Sequence, residues 1–178
     1  MISKIKNYFN IKQNWVPSLL LLPISAFLII NHGKFIPVLD HVNLLFHEGG
    51  HGIFKIFGKF IYTSGGSLMQ IIIPSLFIYY FLSNGKRTGT QISLFYLAEN
   101  LMNIGVYAAD ARARRLPLLG GNKVYHDWHY LLSELGILNL DQSVGSFFFY
   151  SAIVVMVLGL LLPLFIKDYK EPDIKLSL

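Results

Sequence analysis

Long apolar runs separated by short polar breaks set the pattern of this chain. An uncharged run covers 13–33, with its most apolar part at 17–30. A second apolar segment, 35 to about 57, is interrupted by Asp40, His41, His47, Glu48 and His51. A third runs uncharged over 61–85, with Gly65-Gly66 near its start and Pro74 inside. The fourth, 88 to about 113, is mostly apolar yet holds Glu99, Asn100, Asn103 and Asp110; the fifth, 144–166, has no charge. About 20 helical residues cross a bilayer. The pattern therefore predicts an all-α polytopic membrane protein of about five transmembrane helices, in one domain over 1–178. No small-x-small cleavage site follows Ile30, so the first run reads as a membrane helix rather than a removed signal peptide. Proline is tolerated inside a membrane helix when neighbours satisfy the carbonyl it frees. Asn84-Gly85-Lys86-Arg87 reads as a turn. A long connection, 114–143, carries Gly120-Gly121 and His126-Asp127-Trp128-His129.

Composition agrees. Of 178 residues, 53% are hydrophobic and 14% charged, with a mean hydropathy of +0.50, too apolar for a soluble domain of this size. Cysteine is absent, which removes disulfides, thiolate metal sites and cysteine nucleophiles. The net charge of +5 raises the question of nucleic acid. The basic residues, however, sit in short segments between apolar runs, the pattern of topology signals and anionic-lipid contact, so no nucleic-acid partner is expected. Arg112, Arg114 and Arg115 fit lipid phosphates at the boundary. Lys4, Lys6, Lys12, Lys55, Lys59 and the arginines with Lys123 would share one side, and Lys34, Lys86, Arg87 and the tail lysines the other. The positive-inside rule then favours a cytoplasmic N-terminus.

The chemistry concentrates at His47-Glu48-Gly49-Gly50-His51. On a helix the two histidines project from one face one turn apart. Two such imidazoles can hold Zn²⁺ while the Glu48 carboxylate takes a proton from water. A catalytic zinc normally has a third protein ligand, sought among ionisable groups at membrane depth. Glu99, Asn103 and Asp110, at i, i+4 and i+11, fall in one narrow sector of the fourth helix. The run His126-Asp127-Trp128-His129 is open to two readings. It could fold back over the site with His126 as a ligand or hydrogen-bonding group, or lie at the interface with Trp128 and Tyr130 at headgroup level. The third ligand is thus sought among Asp110, His126, Glu99 and Asp127. Asp40 and Asn43, at i−7 and i−4 from His47, share its face, and either could accept the N–H of a ligating imidazole. Gly49, Gly50 and Gly52 permit close helix packing. Gly65-Gly66-Ser67 is expected to begin a tight turn beside the site, with Gln70 binding backbone there or pairing with another helix.

On these residues the chain resembles the site-2 protease-type intramembrane zinc metallopeptidases. That family pairs its His-Glu-x-x-His helix with an aspartate ligand on a later membrane segment, some residues after an asparagine. Here Asn103-Ile104-Gly105-Val106-Tyr107-Ala108-Ala109-Asp110 takes that place, with Ala111 where the family usually has glycine and no preceding proline. The resemblance implies a zinc peptidase of a bacterial inner membrane. His47, His51 and Asp110 would hold the metal, Glu48 would act as base, and the substrate would be a membrane protein or peptide. Through Gly65-Gly66, Ala109-Asp110-Ala111-Arg112, Gly120-Gly121 and His126-Asp127-Trp128 the chain also resembles a narrower group, small bacterial membrane proteins classed as metallopeptidase-like. The ligands alone would equally serve a non-catalytic membrane zinc-binding regulator, or a metal-dependent hydrolase of a non-peptide substrate.

Overall fold

A computed structural model describes residues 2–116 and 125–166, with side chains from Trp15 onward. The expected features Gly120-Gly121, Lys123, the side chains of Lys4, Lys6 and Lys12, and the tail from Lys167 lie outside the described residues. The described part is all-helical, as its apolar runs predict. In chain order, α1 spans Ile2–Ile30, α2 Leu39–Phe54, α3 Lys59–Ser83, α4 Arg87–Ala109, α5 Asp127–Glu134 and α6 Asp141–Leu161. Two stretches, Lys59–Ser83 and Leu138–Leu164, are long and apolar enough to cross a membrane.

Beside an apolar core that includes Leu21, Phe95, Met102 and Met156, several polar side chains are buried while many large apolar ones face outward. Asn43, Gln91, Thr90, Asn100 and Asp141 are among the fully buried side chains, whereas Leu19, Leu20, Phe147 and Val154 stand exposed. Where apolar tails surround a bundle, interior polar groups must find partners within the protein. Gln91 does so between three helices, its Nε2 donating to Ser18 Oγ on α1 and to the Gly159 carbonyl on α6, each at 2.8 Å. Ser18 Oγ in turn donates to the Leu160 carbonyl at 2.8 Å. These bonds pin α1 and α6 to α4.

Helices pack most extensively as α4 on α6, α2 on α3 and α3 on α4. Two close approaches explain why. A Cβ on Gly50 would lie 2.1 Å from the Gly65 carbonyl oxygen, so the α2 and α3 backbones touch where neither has a side chain. Gly105 and Gly145 do the same for α4 and α6, where an added Cβ would meet backbone oxygen at 2.9 and 2.7 Å. Close backbone approach through small residues is the usual mode of helix association in lipid. The anticipated turn at Gly65-Gly66-Ser67 is not present: these residues lie inside α3. Glycine there serves contact with α2 rather than chain reversal. The Asn84-Gly85 break between α3 and α4 does form a turn, with Gly85 at φ 65°.

Candidate metal centre

His47 and His51 stand on consecutive turns of α2, their ring centroids 4.9 Å apart and nearly perpendicular. Each ring is held by its Nδ1. That of His51 lies 2.8 Å from the Tyr62 carbonyl oxygen. A carbonyl can only accept, so His51 donates through Nδ1, which in the neutral ring leaves the lone pair on Nε2. His47 Nδ1 donates to Gln70 Oε1 at 3.0 Å, which leaves its Nε2 likewise free to bind a cation. Gly66 lets the ring in: a Cβ at Gly66 would stand 2.5 Å from His47 Nε2 and Cε1.

Both Nε2 atoms point at one oxygen. Asp127 Oδ2 lies 2.9 Å from His47 Nε2 and 3.1 Å from His51 Nε2. Burial alone would raise the Asp127 carboxyl, but the two imidazoles outweigh it and hold the group below the ordinary carboxylate range. With both rings neutral and protonated on Nδ1, two lone pairs would meet an anionic oxygen. Such a cluster needs positive charge at its centre, as protons on the rings or as a metal ion. His47, His51 and Asp127 form the one such potential ligand group among the described residues, with their donor atoms all within 4.8 Å of one another. The residues fit zinc. Two imidazole nitrogens and a carboxylate oxygen are a usual catalytic set, and donors on a tetrahedral shell with bonds near 2.0–2.1 Å stand about 3.3 Å apart.

Asp127 reaches the histidines because the run His126-Asp127-Trp128-His129 folds back over the site, held by Tyr107 on α4, Ser67 on α3 and the Ala111 carbonyl just past α4. The His126 ring packs on Tyr107, centroids 4.3 Å apart. Its Nδ1 accepts from the His129 backbone N–H at 3.2 Å, so Nε2 holds the proton and faces Asp110 Oδ2 at 3.4 Å. Burial lowers the His126 pKa. Asp127 N–H donates to the Tyr107 hydroxyl at 3.1 Å. Trp128 Nε1 donates to Ser67 Oγ on α3 at 3.2 Å, and His129 Nδ1 donates to the Ala111 carbonyl at 2.8 Å. Trp128 therefore points inward rather than towards headgroups. Leu131 and Leu132, both buried, complete the seat of α5.

Asp110, expected as the third ligand, is placed elsewhere. Helix α4 ends at Ala109, one residue earlier. The Asp110 carboxylate accepts from the backbone N–H groups of Arg115 and Leu116 at 3.0 and 2.9 Å, holding the turn that follows. His126 joins Asp110 and not the histidine pair. Glu99 is not a ligand either: its Oε2 accepts from Asn43 Nδ2 at 2.7 Å, while Asn43 Oδ1 accepts from the Tyr96 hydroxyl at 3.0 Å. Asn43, expected to serve His47, is fully engaged there. Asp40 and Asn103 act at one remove. Gln70 Nε2 donates to Asn103 Oδ1 at 2.9 Å, and Asn103 Nδ2 to Asp40 Oδ1 at 2.8 Å. Asp40 Oδ2 accepts from the Ile36 backbone N–H.

These groups border a cavity of about 740 Å³ whose lining includes Asp40, His47, Glu48, His51, Glu99 and Asn103. Its size is in the range of small-molecule and peptide sites. Helices α2 and α4 meet there through polar side chains rather than close backbone packing, which is why space remains between them. Glu48 lines this cavity beside both histidines, exposed and with no hydrogen bond among the described residues. The candidate base is therefore uncommitted and adjacent to the candidate metal. Set against family profiles, characterised proteins and solved structures, the chain shows no match to any of the three.

Proposed function

We propose that this protein is an intramembrane zinc metallopeptidase, built on about five membrane-spanning helices, that hydrolyses peptide bonds in or near membrane-spanning segments. One observation carries this reading: His47 Nε2 and His51 Nε2 both face Asp127 Oδ2, at 2.9 and 3.1 Å, with Glu48 on the same helix lining the adjoining cavity. His47, His51 and Asp127 would hold the ion. Bound there, zinc supplies Lewis-acid chemistry, polarising a carbonyl and lowering the pKa of water towards about 7. The Glu48 carboxylate, with no hydrogen bond among the described residues, would take a proton from the attacking water and deliver it to the leaving amine. Gln70 and the Tyr62 carbonyl orient the two imidazoles, and the Tyr107 hydroxyl orients the Asp127 backbone. Substrates would be membrane-embedded or juxtamembrane segments in locally extended form, because a helical peptide bond is shielded from attack. The exposed apolar surface and the two long apolar helices support a membrane protein; the distribution of basic residues favours a cytoplasmic N-terminus, and a bacterial inner membrane is what the family resemblance implies.

The test is direct. The protein, purified in detergent, is analysed for zinc and challenged with a library of membrane-segment peptides alongside Glu48→Gln and His47→Ala. The reading expects about one zinc per chain in wild type and Glu48→Gln, none in His47→Ala, and cleavage in wild type alone. Zinc without cleavage of any peptide would favour a zinc-binding regulator or a hydrolase of another substrate. A wild type that binds no metal would end the proposal.

A further inference from the structure

Hydrogen-bond donors and acceptors alternate without exception from the α1–α2 loop to the candidate metal. Asp40 is a carboxylate and can only accept. Ile36 N–H fills its Oδ2 and Asn103 Nδ2 fills its Oδ1 at 2.8 Å. With Nδ2 so committed, Asn103 presents Oδ1 to Gln70, which must answer with Nε2 at 2.9 Å. Gln70 then turns Oε1 to His47, and His47 must donate from Nδ1 at 3.0 Å. Each amide could flip in isolation; the carboxylate at the far end forbids it. The path crosses from α2 to α4 to α3 and back to α2.

We infer that Asp40, which touches neither imidazole nor ion, holds the proton of His47 on Nδ1 through Asn103 and Gln70 and so makes Nε2 the nitrogen left to the metal. Asp40, Asn103 and Gln70 are positioning residues, and the inference rests on the metal-site reading above. Its consequence is specific. In Asp40→Asn the new amide can offer its oxygen to only one of two donors. Ile36 N–H cannot turn away, so the amide nitrogen faces Asn103. Asn103 flips to accept, Gln70 flips after it, and Gln70 Nε2 now faces His47 Nδ1. The ring responds by moving its proton to Nε2, where the ion would bind. Adding Gln70→Glu to Asp40→Asn reverses the order and satisfies every group: the new carboxylate accepts from Asn103 and from His47 Nδ1–H alike.

Two readouts test this in detergent-solubilised full-length protein with ¹⁵N-labelled histidine. The metal-free spectrum reports which His47 nitrogen is protonated, and chelator competition reports zinc affinity. Wild type is expected to show Nδ1–H. Asp40→Asn is expected to lose the Nδ1 proton, leaving the ring protonated only at Nε2, and to weaken zinc binding about 10- to 100-fold, the usual effect of losing an outer-sphere partner. The double variant is expected to restore both. An unchanged tautomer and affinity in Asp40→Asn, or lost stability with no tautomer change, would overturn the inference, as would failure of the double variant to rescue. If Asp40→Asn does not fold, Asn103→Leu and Gln70→Met decide, since each cuts the path between Asp40 and His47: both are expected to lose at least about 10-fold in zinc affinity relative to wild type. Wild-type affinity in either would overturn it. A wild type that binds no zinc defeats the metal-site reading instead, while its metal-free tautomer still decides the relay.

Discussion

Gly66 and His47 are in such close contact that a single methyl group on the glycine would stand 2.5 Å from the imidazole Nε2. The ring has little room to retreat, since Gln70 holds one nitrogen and Asp127 faces the other. Gly66→Ala should therefore reduce zinc affinity at least about 10-fold, comparable to the loss of an orienting partner, while α3 keeps its helicity. Gly49→Ala is the control, because a Cβ at Gly49 meets nothing within 4 Å. Chelator competition on the two variants checks the contrast; equal affinities would remove the packing argument.

Asp127 and Asp110 separate cleanly by role. Asp127→Asn should abolish stoichiometric zinc, because the anionic oxygen that both histidines face is gone. Asp110→Asn should keep the zinc. It weakens the bonds to the Arg115 and Leu116 amides, at a cost of about 1 kcal/mol typical of one hydrogen bond. Metal analysis and thermal melts of both variants check this. Zinc lost from the Asp110 variant with the Asp127 variant intact would return the ligand role to Asp110.

Removing the ion should be felt as stability. A ligand that binds only the folded chain adds about 2.7 kcal/mol when present at 100 times its dissociation constant. Chelation should therefore lower the melting temperature of wild type and of Glu48→Gln alike. His51→Ala should melt the same way with or without chelator.

At the other end of the site's scaffold, Asp141 is almost wholly buried at the start of α6. Its Oδ1 accepts from Arg112 Nη2 at 2.6 Å, Arg112 Nε at 2.8 Å and the Gln142 amide at 2.8 Å. Arg112→Ala leaves the carboxylate with backbone donors from Gln142 and position 112. Asp141→Ala strands all of them. The Asp141 variant should melt lower than the Arg112 variant; the opposite order would mean that the ion pair, not the backbone capture, holds the turn.

Local chemistry was legible in the sequence and long-range chemistry only partly so. The helix, the two histidines and Glu48 follow from a five-residue spacing, because consecutive turns of one helix need no knowledge of the rest of the fold. The stripe Glu99, Asn103, Asp110 was sound for its first two members, which do line the cavity. It broke at Asp110 because α4 stops at Ala109, and helical phase means nothing past the end of a helix. Asp127 was one of four ligand choices left open, and its four-residue run admitted an interfacial reading as well as a fold-back over the site. Its position depends on Tyr107, Ser67 and Ala111 seating that run, none of which a linear pattern announces. Gly65-Gly66 suggested a turn, since glycine pairs usually serve one; only the nearness of Gly50 and His47 shows why a helix carries them.

The anchoring of Asp127 by α5 has a bearing on biogenesis. It follows His51 by 76 residues and His47 by 80, so a chain emerging from the ribosome exposes both histidines long before the aspartate is made. Until the fifth helix has been synthesised and has folded back, the nascent protein holds only half of a metal cage. Completion of the cluster would then be a late step of assembly, and an unfinished chain would lack its anionic member.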